Sequence, residues 1–243
     1  MFKELARCAD VDGATVNDVI VACMGDDIHR YFREIGHDTS GRQDHINISL
    51  LVGFPKHPSM YLDEYCALSL QDAPILLTLW LRAIPPLERL RLTHDELRDT
   101  KDSNVTCLIA VLLDLIDAFM RPEKFVNLAQ DGIGKASLAL TNVPGPKMPF
   151  FLARHQIREL QLLVTNPFCN VQVMSYNEEV FINAQVNTRS SISTERIVES
   201  FETSVRAALD EFPLDPTRRD ANLHILERAV NGNHPGPFLL TTV

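Results

Sequence analysis

The spacing of apolar residues changes along this chain, and this change limits the fold more than any other feature of the sequence. Between residues 13 and 36 apolar side chains recur every three to five positions, which predicts an amphipathic helix at about 15 to 35. The residues that set this spacing are Val16, Ile20, Cys23, Ile28, Tyr31 and Ile35. Helical patterns also occupy about 86 to 120 and 194 to 211, whereas 135 to 187 is rich in strand-forming residues. We therefore expect an α/β fold with a mixed sheet.

Seven short segments have the composition of β-strands. They are residues 45–54, 73–81, 135–142, 150–153, 157–165, 170–176 and 180–187. Only the polar residues 177 to 179 separate the last two segments, so we expect these two to pair as a hairpin. After Phe212 the chain becomes rich in Pro, Asn and Gly, and we expect residues 213–243 to form an irregular tail outside a domain that spans 1–212.

The charge and the cysteine content exclude several kinds of partner and site. A net charge of −9 and a pI near 5.3 disfavour binding to nucleic acid, because the negatively charged phosphates bind best to a basic protein surface. The five cysteines are widely spaced without a C-x-x-C pair, so neither a disulfide framework nor a zinc site is predicted. The sequence shows no signal-peptide pattern and no run of roughly 20 uncharged apolar residues that could span a membrane. The simplest expectation is a cytoplasmic protein.

A rigid corner follows the strand-like segment 135–142, in the stretch TNVPGP. Pro144 and Gly145 suit the two central positions of a type II turn, in which the glycine takes a positive φ. Pro146 has no N–H with which to close that turn, so locked dihedrals and not a hydrogen bond would hold it. Two interpretations remain open from these residues: a stiff surface loop, or a rigid strand exit that presents Asn142.

The first turn of the helix at 15 to 35 carries polar residues with a structural explanation. Thr15 and Asp18 match the S/T-x-x-D signal of a helix start. Side chains such as Asn17 and Asp18 bind free backbone N–H groups in a first turn whatever the function, so the residues alone favour a capping role.

The sequence does not support a metal site, a phosphate-binding loop or a nucleophile elbow. Asp26, Asp27 and His29 suggest a metal site, but helical neighbours one and two apart face different ways, so a solvated helix face is expected. The Gly-rich stretch 131–137 precedes a strand, whereas a phosphate loop lies between a strand and a helix. His94 and His155 are expected at the surface, and no G-x-S-x-G elbow is present.

Four stretches occur in an order that is recurrent in one enzyme family. They are GATVNDVIVACMGDDIHRYF, PPLERLRLTHDELRDTKDS, ALTNVPGPKMPFFLA and NVQVMSYNEEVFINAQVN. Together they resemble the C-terminal half of the wax ester synthase/diacylglycerol acyltransferase family, from about residue 2 to residue 212. The resemblance implies one mixed-sheet lobe of the two-lobed fold of chloramphenicol acetyltransferase and other CoA-dependent acyltransferases. Members of the family transfer a fatty acyl group from acyl-CoA to diacylglycerol or a long-chain alcohol, in a tunnel between the lobes. The resemblance implies that Asn17, Asp18, Asn142 and Gly145 lie near the substrates, with the corner at the lobe interface.

The catalytic motif of that family, H-H-x-x-x-D-G, has no counterpart in this chain. In the motif one His acts as general base toward the acceptor hydroxyl. None of the eight histidines is adjacent to another, and only His155 has an acidic residue four positions later, Glu159, with Leu160 where glycine is required. We therefore expect the second lobe alone, inactive by itself, with no catalytic residue, no metal and no cofactor apart from acyl-CoA as substrate.

The resemblance also sets expectations for partners. Acyl-CoA and a lipid acceptor would bind once a first lobe completes the site. The bare lobe should expose an apolar face that binds this first lobe or drives self-association. Peripheral contact with a lipid-synthesising membrane is a further expectation. The alternative is a non-catalytic lipid- or protein-binding module that uses the former lobe interface. Glu178 and Asn187 depart from the family pattern and receive no role.

Overall fold

The computed structural model describes residues 1–9, 11–37, 44–53, 72–103, 134–164, 169–177, 179–186, 194–230 and 238–242. Between 108 and 127 it also describes positions 108, 112, 115, 116, 119, 121, 124 and 127. Five helices are bounded within these ranges: α1 (Phe2–Cys8), α2 (Val16–Glu34), α3 (Pro86–Asp102), α4 (Thr194–Glu211) and α5 (Pro216–Val230). The strands are β1 (His45–Gly53), β2 (Asp72–Trp80), β3 (Leu138–Pro144), β4 (Phe151–Leu152), β5 (His155–Gln156), β6 (Asn170–Tyr176), β7 (Glu179–Val186) and β8 (Phe238–Thr242).

Six of the strands form one mixed sheet in the order β2-β1-β3-β6-β7-β8. The pairs β1-β2 and β6-β7 are antiparallel, whereas β1-β3, β3-β6 and β7-β8 are parallel. In the β3-β6 register, Asn142 lies beside Val173 and Pro144 beside Ser175. The parallel pair β3-β6 therefore ends where the Pro-Gly-Pro corner begins.

One hydrophobic core joins the helices to the sheet. It contains Val19 and Ile20 of α2, Ile48 and Leu50 of β1, and Val205 and Leu209 of α4, among other side chains. Because side chains alternate along a strand, Val171 and Val173 of β6 join this core while Gln172 points to the opposite face. There Gln172 donates to the carbonyl of Val164 at 3.4 Å, so the segment 157–164 covers the polar side of the sheet.

Most of the elements expected from local patterns are present. The helix at 15 to 35 and the β6-β7 hairpin with its turn at Asn177 are confirmed. In the region 86 to 120, where helices are predicted, α3 runs to Asp102, and the described positions 108, 112, 115, 116 and 119 are also helical. Within the described residues, no helix combines the length and apolar composition needed to cross a membrane.

Two expectations were wrong because they depended on contacts distant in sequence. Residues 157–164 do not form a strand, because their carbonyls accept from side chains of β6 and β7 instead of entering a ladder. The segment after Phe212 is not irregular throughout, since it contains α5 and β8. Strand β8 pairs in parallel with β7 from Ile182 to Val186, so β8 lies at one edge of the described sheet.

Candidate functional site

The start of α2 is held by a capping box. The N–H of Asp18 donates to Oγ1 of Thr15 at 3.4 Å, and the N–H of Thr15 donates to Oδ2 of Asp18 at 2.6 Å. The side chain of Asp18 is almost fully buried, so its carboxylate serves the backbone and faces away from solvent. The capping role that the residues alone favoured for Asp18 is thus observed.

A second buried partner ties Asp18 to α3. The Nδ1 of His94 lies 3.0 Å from Oδ2 of Asp18, and both residues are buried. The expectation that His94 lies at the surface was therefore wrong. The signal was present in the sequence, because Leu90, His94 and Leu97 share one helical face and all three are buried.

We expect His94→Asn to lower the free energy of unfolding by about 1–3 kcal/mol, because it removes a buried hydrogen bond to a charged group. Urea unfolding at neutral pH measures this change. His155→Asn is the matched control, since His155 is exposed on β5 and should change stability by less than about 0.5 kcal/mol. Equal stabilities for the two variants would show that the His94–Asp18 contact contributes nothing.

The fold brings Asn17 and Asn142 together across 125 positions of sequence. Nδ2 of Asn142 donates to Oδ1 of Asn17, and this hydrogen bond joins the end of strand β3 to the first turn of helix α2. Both side chains are only partly buried. Each amide keeps further donor or acceptor capacity beyond this one bond, so the pair can present polar groups to a bound molecule.

Gly145 is needed for a different reason from the one expected. Its φ is not positive, so the predicted type II turn is wrong. A Cβ on Gly145 would lie 2.0 Å from the carbonyl oxygen of Ser175, a distance that no side chain tolerates. The glycine permits its own N–H to donate to Oγ of Ser175 at 3.1 Å, and the N–H of Asn177 donates to the carbonyl of Pro146 at 2.9 Å. Hydrogen bonds to the end of β6, and not locked dihedrals alone, therefore hold the corner.

Three of the four predicted site residues form one connected group. Asn17 bonds to Asn142, and Gly145 lies three residues after Asn142 at the end of β3. Asp18 is adjacent in sequence but binds backbone and His94, so it positions the start of α2. The contacts of Ser175 and His94 were not predicted from the sequence. No neighbouring residue in the sequence indicates the role of Ser175, because its contact with Gly145 arises from the β3-β6 pairing. Glu178 and Asn187 lie outside the described residues.

A second polar cluster lies further along α2 and is structural. Asp26 pairs with Arg30 at 2.5 Å and accepts from Oγ of Ser204 at 2.8 Å, which links α2 to α4. The guanidinium of Arg89 donates to the carbonyls of Trp80 and Arg82, each at 2.6 Å. Asp27 and His29 are buried, so the expected solvated helix face was wrong. No group of three or more metal-binding side chains occurs within the described ranges.

Comparisons with known proteins agree on one family. The family profile described as the WS/DGAT C-terminal domain matches residues 73–208. That range includes Asn142 and Gly145 but not Asn17 and Asp18. Two curated sequences, from Mycobacterium tuberculosis strains H37Rv and CDC 1551, are each 26% identical over 166 residues and are provisionally named diacylglycerol O-acyltransferases. The match covers 64% of this chain and 33% of either relative, so the chain spans about a third of their length.

Solved structures show the same fold. The wax ester synthase/diacylglycerol acyltransferase from Marinobacter aquaeolei VT8 superposes with a TM-score of 0.56 at 18% identity, covering 85% of this chain and 45% of that one. The nonribosomal peptide synthetase FmoA3 matches with a TM-score of 0.50 at 16% identity, covering 88% of this chain and 22% of that one. These matches confirm the predicted fold class, a mixed-sheet lobe of the chloramphenicol-acetyltransferase-like acyltransferase fold.

Proposed function

Because the chain belongs to the wax ester synthase/diacylglycerol acyltransferase family, we propose that it is the second lobe of an O-acyltransferase. The complete enzyme transfers a fatty acyl group from acyl-CoA to diacylglycerol or a long-chain alcohol. This lobe supplies the polar group at the end of β3, and a first lobe with H-H-x-x-x-D-G supplies the general base. The chain alone is inactive in this proposal.

The observation that carries the proposal is the contact between Asn17 and Asn142 beside the Gly145 corner. Attack of a hydroxyl on a thioester builds negative charge on the carbonyl oxygen, and donors fixed in advance stabilise that charge. A side-chain amide at the end of a strand, braced by a helix start, is such a donor. Its position is set by two independent elements, α2 and β3, so it can hold its place as substrate binds.

Exposed apolar side chains give further support. The helical positions Leu108, Leu112, Leu115 and Phe119 are all exposed, and their spacings of four, three and four place them on one face. Soluble monomers rarely leave large apolar patches open, and such patches usually mark interaction surfaces. In the proposed enzyme a first lobe can cover these side chains, which explains why they face solvent in the separate chain.

A radiolabelled acyl-CoA assay tests the proposal on the chain alone and on the chain fused to a family first lobe that carries H-H-x-x-x-D-G. We expect no acyl transfer to hexadecanol or diacylglycerol by the chain alone and clear turnover by the fusion, because a general base is typically worth ~10²–10⁴ in rate. Asn142→Ala should reduce turnover by the fusion about tenfold or more. Asn127→Ala, the same change at an exposed helical position, should leave it unaltered.

Two results would contradict this proposal. Turnover by the chain alone that His94→Gln abolishes would move the general base into this lobe, at the His94–Asp18 pair. A fusion that folds and binds acyl-CoA but transfers nothing would favour the alternative, a lipid- or protein-binding module.

A further inference from the structure

A short hairpin projects directly after the Gly145 corner. Strands β4 and β5 pair antiparallel, with Phe151 opposite Gln156 and Leu152 opposite His155. Their two-residue turn, Ala153 and Arg154, has positive φ at both positions, as a type I′ turn requires. We call residues 147–158 the hairpin arm.

The apolar side chains of the hairpin arm face solvent. Met148, Phe151 and Leu152 are 76%, 63% and 69% exposed. Phe150 is also exposed, although one edge of its ring meets Tyr176 with the ring centroids 5.4 Å apart. Four large apolar residues in five positions are therefore left without cover in a chain that has a large buried core elsewhere.

The base of the hairpin arm is held rigidly, so this exposure is built into the fold. Tyr176 is fully buried; its hydroxyl donates to the carbonyl of Ile157 at 2.8 Å and accepts from the N–H of Phe150 at 3.1 Å. The N–H of Ile157 also donates to the carbonyl of Phe150 at 3.0 Å. One buried phenol on β6 thus clamps both sides of the hairpin arm. A clamped hairpin cannot fold its apolar side chains back onto the core, so it is ordered in advance for a partner.

The charge of the hairpin arm is opposite to that of the chain. It carries Lys147, Arg154 and Arg158, and no Asp or Glu occurs from 145 to 158, whereas the whole chain has a net charge of −9. All three cations are exposed. A surface that is apolar at its centre and basic at its margin fits a groove with an apolar floor and an acidic rim.

We propose that the hairpin arm docks into such a groove on the first lobe of the acyltransferase, an inference that rests on the proposed function. This chain covers only 45% of the Marinobacter enzyme and 33% of the mycobacterial relatives, so a large part of the family's length lies outside it. The hairpin arm leaves the corner that carries Asn142 and Gly145, within a few residues. Docking of the hairpin arm therefore places Asn142 directly at the contact between the two lobes.

The test measures binding between the full chain and the separately produced first lobe used in the fusion, by isothermal titration calorimetry. Phe151→Asp is expected to weaken binding at least tenfold, because it places a charge in the centre of the contact. The double variant Arg154→Glu/Arg158→Glu should also weaken binding, and more strongly at low than at high salt. Ile35→Asp is the matched control, an exposed apolar residue outside both the hairpin arm and the helical face of Leu108 to Phe119, and should bind as the unaltered chain does. Phe119→Asp is measured separately, because Phe119 lies on that helical face. Circular dichroism should be unchanged for all variants, since each altered side chain is exposed.

The possible outcomes separate the two proposals. Binding that Phe151→Asp leaves intact and Phe119→Asp abolishes overturns the role of the hairpin arm while the proposed function stands, provided that the fusion is active. If Phe151→Asp loses binding to phosphatidylglycerol vesicles but still binds the first lobe, the partner of the hairpin arm is a membrane and not the first lobe. A dimer in sedimentation velocity that only the hairpin-arm variants dissociate would make it a second copy of this chain. No binding of the lobes together with an inactive fusion would reject the proposed function itself.

Discussion

Gly145→Ala is expected to destabilise this protein by about 3 kcal/mol or more. Overpacked sites typically cost about 1–3 kcal/mol, and the obstacle here is a backbone oxygen that cannot rotate away. The new Cβ would lie 2.0 Å from the carbonyl oxygen of Ser175, so the end of β3 must move away from β6. That movement also breaks the bond from the N–H of Gly145 to Oγ of Ser175. Urea unfolding followed by circular dichroism measures the loss.

Gly36→Ala provides the control for this prediction. Gly36 has a φ of +74°, but a Cβ there would meet nothing within 4 Å. The substitution therefore costs only the left-handed backbone penalty of roughly 1–2 kcal/mol. If Gly145→Ala proves no more harmful than Gly36→Ala, the close approach of the corner to Ser175 is not a constraint on the fold.

The second large effect concerns Asp27 and pH. Asp27 is buried where α2 meets α4, and its Oδ1 has no hydrogen-bond partner. Burial, which disfavours the charged form, raises the pKa of Asp27 to about 7 from an ordinary value of 3.8. The neighbouring charge of Asp26 raises it further, while the nearby hydroxyl of Ser200 opposes the rise.

The sign of the pH effect follows from linkage. Between about pH 4 and 7 the folded state holds a proton on Asp27 that the unfolded state has released. The free energy of unfolding therefore falls as pH rises through this window and stays lower above it. Each pKa unit is worth about 1.4 kcal/mol, so the loss amounts to a few kcal/mol. Asp27→Asn removes the buried charge and should be more stable than the unaltered protein at pH 8, with little difference at pH 4.

Asp26→Asn is the natural comparison, one residue away. The carboxylate of Asp26 pairs with Arg30 and accepts from Ser204, so its loss should destabilise the protein at pH 8. Urea unfolding of both variants at pH 4 and pH 8 gives the four values required. An Asp27→Asn variant with the same stability as the unaltered protein at pH 8 would mean that Asp27 is not buried as a charged group.

Features that depend on neighbours in sequence were predictable. The helix at 15 to 35 follows from the spacing of its apolar residues, and its start follows from the pair Thr15 and Asp18. The turn at Asn177 and the hairpin it closes follow from a short polar gap between two strand-like segments. Local sterics and local hydrogen bonds decide these elements, so the residues concerned carry the information themselves.

The role of a buried polar residue was harder to predict, because burial depends on what packs above it. Asp27 and His29 were expected on a solvated face of α2, but α4 contacts Asp27 through Ser200, and Leu81 after β2 contacts His29. The same holds for His94, whose partner Asp18 lies 76 positions earlier. For His94 the helical face shared with Leu90 and Leu97 was a usable clue, and Asp27 likewise follows the buried Ile20, Cys23 and Met24 at helical spacing.

The sequence by itself determined the helices that begin near residues 16, 86 and 194, where the hairpin turns, that the chain leaves β3 by a stiff corner, and which family it resembles. Only the tertiary structure decided that Asn17 meets Asn142, that Gly145 is required by the backbone of Ser175, and that β8 pairs with β7 at one edge of the described sheet. The physical reason is the range of the interactions. Dihedral preference and hydrophobic periodicity act over a few residues, whereas the order of strands in a sheet brings together residues whose sequence separation says nothing about their contact.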